Sequence, residues 1–199
     1  MTEIICLTGL SSCGKSYMTG HYFRLQGYQV LSLATPIYQI LSVISKQDIS
    51  TLHLLKKLPD KLLYGKDTRE ALCQIGQGLR ESIHNDIWVD LCIHTIKNPS
   101  IHLADFCYDK YVIDDIRDVG EYNKIKKMFP KTKLIYVYRE DNNPYLSSDS
   151  LVQERESHYG ELEKCADIVF NNTIPQMYIH SPEKYYENTL GKEIRKWLL

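Results

Sequence analysis

Residues 9 to 16 read Gly9-Leu10-Ser11-Ser12-Cys13-Gly14-Lys15-Ser16 and carry the strongest structural signal in this sequence. A short apolar run over residues 3 to 8 precedes them, and a helical pattern over residues 14 to 26 follows. In a glycine-rich loop between a buried strand and a helix, the backbone N–H groups can point inward at phosphate oxygens. The positive N-terminal end of the helix adds to this attraction. The stretch therefore predicts a loop that binds phosphate groups.

Within this phosphate loop, single residues have expected tasks in binding ATP and Mg²⁺. Lys15 is expected to contact the β- and γ-phosphates, and Ser16 to offer its hydroxyl to the metal ion. Cys13 is expected to act through its backbone. The candidate nucleotide-binding residues in this region are Gly9, Ser11, Ser12, Cys13, Gly14, Lys15, Ser16 and Tyr17. The loop therefore predicts a phosphotransferase that uses Mg·ATP.

The composition favours a small-molecule partner over a nucleic-acid polymer. The chain has 199 residues, of which 43% are hydrophobic and 25% charged, and its formal net charge is -1. This length suits one α/β domain over residues 1–199. Binding a long nucleic acid needs a basic stripe, which a near-neutral chain is poorly suited to provide.

The six cysteines and seven histidines are scattered through the sequence, without metal-ligand spacing. This pattern predicts a reduced intracellular protein without structural zinc. No run approaches the length of a membrane span, and the first residues lack the basic segment of a secretion signal. We expect a cytoplasmic protein that does not bind membranes, and whether it forms a homodimer stays open.

Short apolar runs alternate with helical patterns along the chain. Strands are predicted over residues 3–8, 29–33, 110–113, 134–138 and 168–170, and helices over residues 14–26, 120–128 and 183–199. This alternation predicts a three-layer α/β fold of the P-loop NTPase type, with a parallel sheet of about five strands. Residues 34–98 are predicted to form a helical substrate-binding insertion, and the polar residues 139–165 a lid.

A second candidate site follows the predicted strand at residues 110–113. Asp114 and Asp115 stand at the carboxyl end of this strand, which in a parallel sheet lies beside the phosphate loop. A carboxylate there can hold Mg²⁺, partly through water, or accept a proton from the attacking oxygen. Arg117 is positioned to neutralise phosphate charge. The alternative is a turn that ends the strand, and which aspartate is essential stays open.

The segment from Thr68 to Arg80 is a predicted helix with two different faces. An apolar stripe is formed by Leu72, Ile75 and Leu79. Another face carries Arg69, Cys73, Gly76 and Arg80, where a small residue between two cations would let an anionic ligand approach closely. The alternative is a solvated helix face.

The predicted lid supplies further cations for phosphoryl transfer. Arg139 and Arg155 lie in this polar segment, and closing lids exclude water from such reactions. The alternative is a surface loop. The complete candidate catalytic set is Lys15, Asp114, Arg117, Arg139 and Arg155.

Taken in order, these motifs resemble the deoxynucleoside monophosphate kinases of large DNA phages and viruses. The resemblance rests on residues 9–16, Ala34-Thr35-Pro36, the helix with Arg69 and Arg80, Asp114-Asp115-Ile116-Arg117, and Glu154-Arg155-Glu156-Ser157-His158. Asp167 and Asn171-Asn172 look like the late aspartate and asparagine of that family. Tyr38 stands where the family usually has lysine, and Thr35 where it usually has aspartate.

The resemblance implies transfer of a phosphoryl group from ATP to a deoxynucleoside 5′-monophosphate. It adds Asn171 to the candidate ATP-binding residues. The candidate acceptor-binding residues are Tyr38, Arg69, Gly76, Arg80, Trp88, Asp114, Asp115 and Arg117. Tyr38, Tyr64 and Trp88 are aromatic residues of the insertion that could stack on a base or belong to the core. Tyr38 is also the candidate for excluding a ribose 2′-hydroxyl.

Two other functions stay open at this stage. The first is a kinase of another phosphorylated small molecule, such as phosphomevalonate. The second is a nucleotide-dependent switch, although the chain lacks the Asn-Lys-x-Asp motif that binds guanine.

Overall fold

The computed structural model describes residues 2–54, 63, 65–99, 109–140 and 159–198. The chain divides into two compact units, one formed by Met1–Leu31 with Pro99–Leu199 and the other by Ser32–Asn98. We call them the sheet unit and the helical unit. No helix in the described ranges is long and apolar enough to cross a membrane.

The sheet unit contains five parallel strands, which confirms the predicted sheet. They are β1 (Glu3–Thr8), β2 (Gln29–Leu31), β3 (Lys110–Ile113), β4 (Lys133–Tyr138) and β5 (Ile168–Asn171). Their spatial order is β2-β3-β1-β4-β5, so β1 lies at the centre with β3 and β4 as its neighbours. The carboxyl ends of all five strands therefore meet at one edge of the sheet.

The described helices lie in both units and are numbered here in chain order. They are α1 (Lys15–Met18), α2 (Thr35–Ser45), α3 (Ile49–Leu54), α4 (Thr68–Ser82), α5 (Ile87–Lys97), α6 (Val119–Met128), α7 (Tyr159–Cys165), α8 (Pro182–Asn188) and α9 (Leu190–Leu198). A π-helical turn over Thr19–Phe23 continues α1, and a short 3-10 turn covers Gln176–Tyr178.

Helices cover both faces of the sheet, and the strands are accordingly apolar on both faces. On one face, Ile5 and Leu7 of β1 pack in a cluster with Met18, Phe23 and residues of α8 and α9. The alternate side chains Ile4 and Cys6 point to the opposite face and are also fully buried. Burial on both faces explains why the strands read as continuous apolar runs rather than alternating ones.

Two predicted helices differ from the structure in more than their end residues. Residues 14–26 form a short α-helix and then a π-turn, in which the N–H of Arg24 donates to the Thr19 carbonyl. The predicted closing helix is two helices, α8 and α9, because the chain bends at Thr189, whose hydroxyl donates to the Tyr185 carbonyl. Residues 159–165, the end of the segment predicted as a lid, form α7, which is anchored by the fully buried side chain of Leu162. The lid role itself stays a prediction.

The helical unit has its own apolar core. Tyr38 and Leu41 of α2 pack with Leu52, Leu63 and Ala71, and Leu72 and Ile75 of α4 lie against this cluster. These two residues belong to the predicted apolar stripe of that helix. The unit therefore buries side chains from α2, α3 and α4 around one centre.

Candidate functional site

The phosphate loop begins where β1 ends, and its first glycine is required by geometry. Gly9 has a φ of 128°, a backbone conformation that favours glycine. A Cβ atom at this position would overlap the backbone carbonyl of Val137, near the end of β4. The loop therefore crosses the end of β4 at a distance that only glycine permits.

The second glycine of the loop makes a similar close approach. Gly14 has a φ of 87°, and a Cβ atom there would overlap the side-chain amide of Asn172, which follows β5. Both glycines of the sequence pattern are thus explained by contacts with neighbouring strand ends. Between them Ser12 also has a left-handed backbone, with a φ of 65°.

Lys15 is held by carbonyl groups of its own loop. Its Nζ atom donates to the Gly9 carbonyl at 2.6 Å and to the Leu10 carbonyl at 2.9 Å, and it lies 3.4 Å from the Sγ atom of Cys13. The cation therefore lies inside the loop, where it can neutralise the charge of a bound phosphate. Cys13 itself is buried.

The segment after β3 is joined to β1 and β2 by three hydrogen bonds. The backbone N–H of Asp114 donates to the Leu31 carbonyl, and that of Ile116 donates to the Leu7 carbonyl. The buried hydroxyl of Thr8 donates to the Ile116 carbonyl at 2.9 Å. These bonds place the two aspartates at the carboxyl edge of the sheet, next to the phosphate loop.

Ser16 and Asp114 meet at this edge, with the Ser16 hydroxyl 3.5 Å from Oδ2 of Asp114. Burial and the neighbouring Asp115 carboxylate raise the pKa of Asp114 to about 7, against the opposing effects of Lys15 and Ser16. A hydroxyl and a carboxylate are the oxygen ligands that Mg²⁺ prefers. A divalent cation there would also compensate the charge that this environment disfavours, so the residues fit the metal.

Two predicted cations lie near the same edge. Arg117 precedes α6, and its backbone N–H donates to the buried carboxylate of Glu121, while Asp118 caps the helix by accepting from the N–H of Glu121. Arg139 follows β4 and is partly buried. Burial raises the pKa of the Tyr186 hydroxyl on α8, and the Arg139 cation is among the groups that oppose this rise.

The outer side of the loop forms a shallow pocket of about 220 Å³. It is lined by Ser12, Gly14, Lys15, Ser16 and Tyr17. The side chains of Ser11 and Ser12 are exposed, and the ring of Tyr17 packs against His21 with their centroids 4.1 Å apart. Five of the eight nucleotide-binding residues predicted for this region therefore line one pocket.

Asn171 and Asp167, which resemble the late asparagine and aspartate of the viral kinases, lie at opposite edges of the sheet. Asn171 donates its side-chain amide to Glu140 at 2.9 Å, near the carboxyl edge. Asp167 lies before β5, at the opposite edge, where its carboxylate accepts from the Leu134 N–H at 2.8 Å and from Lys133. Asp167 therefore has a structural role in joining β4 and β5.

In the helical unit, two candidate acceptor-binding residues are core side chains. Trp88 is 2% exposed, and its indole N–H donates to the Gly76 carbonyl at 3.0 Å. Tyr38 is 7% exposed and stacks on His53, with ring centroids 4.2 Å apart. The buried indole of Trp88 does not present a face for stacking on a base, and this corrects the stacking role considered for it.

The remaining candidates of the helical unit lie on α4. A Cβ atom at Gly76 would be 3.2 Å from the Cδ1 atom of Ile37, so this glycine lets α2 and α4 pack closely. That contact accounts for the glycine without a ligand. Arg69 and Arg80 are both partly buried. Tyr64, Arg155 and the lid residues 141–158 lie outside the described residues.

The sequence assigned no role in the loop to Asn172 or Tyr186, two buried residues that are distant from it in sequence but linked to it by hydrogen bonds. Asn172 donates its side-chain amide to the Cys13 carbonyl, and the Tyr186 hydroxyl donates to Asn172. The resemblance named the Asn171-Asn172 pair but selected its first member. The burial of Asn172 in the phosphate-loop region was not visible in the local sequence.

Comparisons with known proteins support the fold and leave the family open. No protein-family model matches the chain, and no curated protein matches it significantly. Among solved structures, shikimate kinase from Aquifex aeolicus superposes with a TM-score of 0.50 at 12% identity, covering 98% of each chain. Dephospho-CoA kinase from Campylobacter jejuni gives a TM-score of 0.49 at 17% identity, covering 96% of this chain and all of that one. The first likeness shows that the chain shares the α/β fold of a P-loop kinase.

Proposed function

We propose that this protein transfers the γ-phosphoryl group of Mg·ATP to a deoxynucleoside 5′-monophosphate. The observation that carries the proposal is the meeting of Lys15, Ser16 and Asp114 at one edge of the sheet. The Nζ atom of Lys15 lies within the phosphate loop, where it donates to the Gly9 carbonyl. The Ser16 hydroxyl lies 3.5 Å from Oδ2 of Asp114. A cation, a hydroxyl and a carboxylate in this arrangement suit the binding of a nucleoside triphosphate with its metal ion.

The residues of the site have separate tasks in this proposal. The loop N–H groups and Lys15 bind the phosphates of ATP, and Ser16 with Asp114 holds Mg²⁺ directly or through water. Bound Mg²⁺ neutralises charge on the phosphate oxygens. Arg117 and Arg139, near the same edge, stabilise negative charge that develops during transfer.

The nature of the acceptor rests on charge and on the sequence resemblance. Arg69, Arg80, Arg117 and Arg139 provide more cations than ATP needs, which favours an acceptor that is itself anionic. The resemblance to viral deoxynucleoside monophosphate kinases selects a nucleotide among such anions. We propose that Arg80 binds its phosphate and that Arg69 has a separate task, because eleven helical positions place their Cα atoms about 16 Å apart. Tyr38, which is 7% exposed, is proposed to exclude a ribose 2′-hydroxyl by the space that its ring fills beside His53.

The experiment is a coupled assay of ADP formation by the purified chain with Mg·ATP. The acceptors are the common deoxynucleoside and ribonucleoside 5′-monophosphates, with shikimate, dephospho-CoA and phosphomevalonate as further arms. Phosphorylation of one or more deoxynucleotides in preference to the matching ribonucleotides supports the proposal. Turnover stimulated by phosphomevalonate and by no nucleotide would contradict it, and ATP hydrolysis that no acceptor stimulates would favour a switch.

A further inference from the structure

Two buried side chains outside the phosphate loop form a connection from α8 to the loop. Asn172 is 4% exposed and follows β5, and Tyr186 is fully buried on α8. The Tyr186 hydroxyl donates to Oδ1 of Asn172 at 2.8 Å, and Nδ2 of Asn172 donates to the Cys13 carbonyl at 2.9 Å. One side-chain amide therefore joins the loop to the helix.

The orientation of this amide is set by its partners. A backbone carbonyl can only accept, so the nitrogen of Asn172 must face Cys13 and the oxygen must face Tyr186. The backbone N–H of Asn172 donates to the Tyr138 carbonyl at 2.7 Å, which ties the residue to the end of β4. Since these groups are buried, reversing the amide would leave polar atoms unpaired.

The hydrogen bond to Cys13 determines where the next N–H points. In a planar trans peptide the C=O and N–H groups point in opposite directions. The carbonyl of the Cys13–Gly14 peptide is directed outward to Asn172, so the N–H of Gly14 is directed the other way, toward the interior of the loop. Gly14 permits this arrangement because it leaves room for the amide of Asn172.

We infer that Asn172, oriented by Tyr186, is a positioning residue that holds the Cys13–Gly14 peptide in its phosphate-binding orientation. The inference rests on the proposed function, because it assigns a phosphate to the interior of the loop. Without the amide of Asn172, this peptide can rotate and present its carbonyl oxygen to the phosphate. Such a rotation replaces an attractive N–H contact with a repulsive one.

The test is binding of Mg·ADP by isothermal titration calorimetry, together with KM for ATP and for the acceptor. Asn172→Leu keeps the number of side-chain heavy atoms and removes the amide. We expect its affinity for Mg·ADP to fall about tenfold and KM for ATP to rise by a similar factor. KM for the acceptor should stay within about twofold of the unmodified value, because the proposed contact with the acceptor phosphate is Arg80 on α4 and not this peptide. A loss of stability alone would not produce that split.

A matched pair of tyrosine variants separates orientation of the amide from packing. Tyr186→Phe keeps the buried ring but removes the hydroxyl that orients Asn172. Tyr185→Phe removes the neighbouring hydroxyl, which donates to the Asn171 carbonyl at 3.0 Å instead. We expect Tyr186→Phe to weaken Mg·ADP binding about threefold, and Tyr185→Phe to leave it unchanged.

Three results would overturn the inference. One is Mg·ADP binding by folded Asn172→Leu that equals binding by the unmodified chain. If Asn172→Leu does not fold, equal binding by Tyr186→Phe and Tyr185→Phe has the same meaning. Absence of Mg·ADP binding by the unmodified chain would contradict the proposed function as well, and this result is obtained before any variant is compared.

Discussion

The hydroxyl of Ser16 lies 3.5 Å from the carboxylate of Asp114, although the two residues are 98 positions apart in sequence. Ser16 lies in the first turn of α1, after the phosphate loop, while Asp114 follows β3, so neither residue is placed by local structure alone. The parallel pairing of β1 with β3 brings them together, since it aligns Cys6 with Ile113. The candidate metal site is thus a direct product of strand order.

Replacing Lys15 with alanine is expected to abolish phosphoryl transfer while the chain remains folded. The ammonium group supplies charge within the loop, and removing such a group is expected to reduce turnover about a hundredfold or more. Loss of its hydrogen bonds to the Gly9 and Leu10 carbonyls should lower the free energy of unfolding by only about 1 kcal/mol, because water can bond to these carbonyls instead.

The measurement is steady-state turnover beside a thermal melting curve. Lys127→Ala, which changes an exposed lysine of α6, is the matched control. Turnover of Lys15→Ala equal to that of this control would show that the loop does not bind a transferred phosphate.

The stability of the metal-free chain should fall as the pH rises toward neutrality. The pKa of Asp114 is raised to about 7 by burial and by Asp115, above its value in the unfolded chain. Between these two pKa values the folded state binds a proton that the unfolded state does not bind. The contribution of Asp114 to the free energy of unfolding therefore decreases as pH rises from about 4 to about 7, and is constant above that range.

Asp114→Asn removes this titration and should gain stability relative to the unmodified chain as the pH rises. We expect the difference in free energy of unfolding to grow by about 2 kcal/mol between about pH 5 and pH 8, measured by urea denaturation in EDTA. Asp115→Asn should move the transition to lower pH, since it removes a charge that raises the pKa of Asp114. A pH-independent difference would rule out the raised pKa.

Much of the fold was readable from the sequence because the strands are continuous apolar runs with clear ends. β1 and β3 were predicted with their observed bounds, since Gly9 and Asp114 mark where the apolar residues stop. β2 is shorter than predicted and ends at Leu31. The π-turn after α1 was not predicted, because its widened hydrogen-bond spacing has no distinct residue pattern.

The site was less readable, because part of it depends on contacts distant in sequence. The phosphate loop could be recognised from residues 9–16, since its chemistry lies in adjacent residues. The bond from Asn172 to Cys13 spans 159 positions and leaves no periodic signal. Gly76 and Trp88 were plausible ligand contacts by position, but helix packing and burial account for both.

Arg80→Ala is expected to impair use of the acceptor more than use of ATP. Arg80 lies near the end of α4, in the helical unit, whereas the phosphate loop belongs to the sheet unit. Loss of an arginine–phosphate contact should raise KM for the acceptor by about tenfold or more, with KM for ATP little changed. Glu81→Ala is the control, because its exposed carboxylate accepts from Gln77 on the same helix. A rise confined to KM for ATP would indicate that Arg80 contacts ATP rather than the acceptor.

The two glycines inside α4 should respond differently to alanine. Gly78 is exposed, and a Cβ atom there would have no neighbour within 4 Å, so Gly78→Ala should stabilise the chain by about 0.5–1 kcal/mol through helix propensity. At Gly76 the Cβ atom would lie 3.2 Å from the end of the Ile37 side chain, which must shift. We expect this displacement to offset the propensity gain, leaving Gly76→Ala within about 0.5 kcal/mol of the unmodified chain.

Urea denaturation of both variants measures the difference, and acceptor KM measures any role in binding. If Gly76 serves helix packing, Gly76→Ala should keep the acceptor KM of Gly78→Ala. A large rise in acceptor KM for Gly76→Ala alone, at unchanged stability, would restore the ligand-facing role predicted from the sequence. Because both substitutions add the same methyl group to the same helix, the comparison isolates the contact with α2.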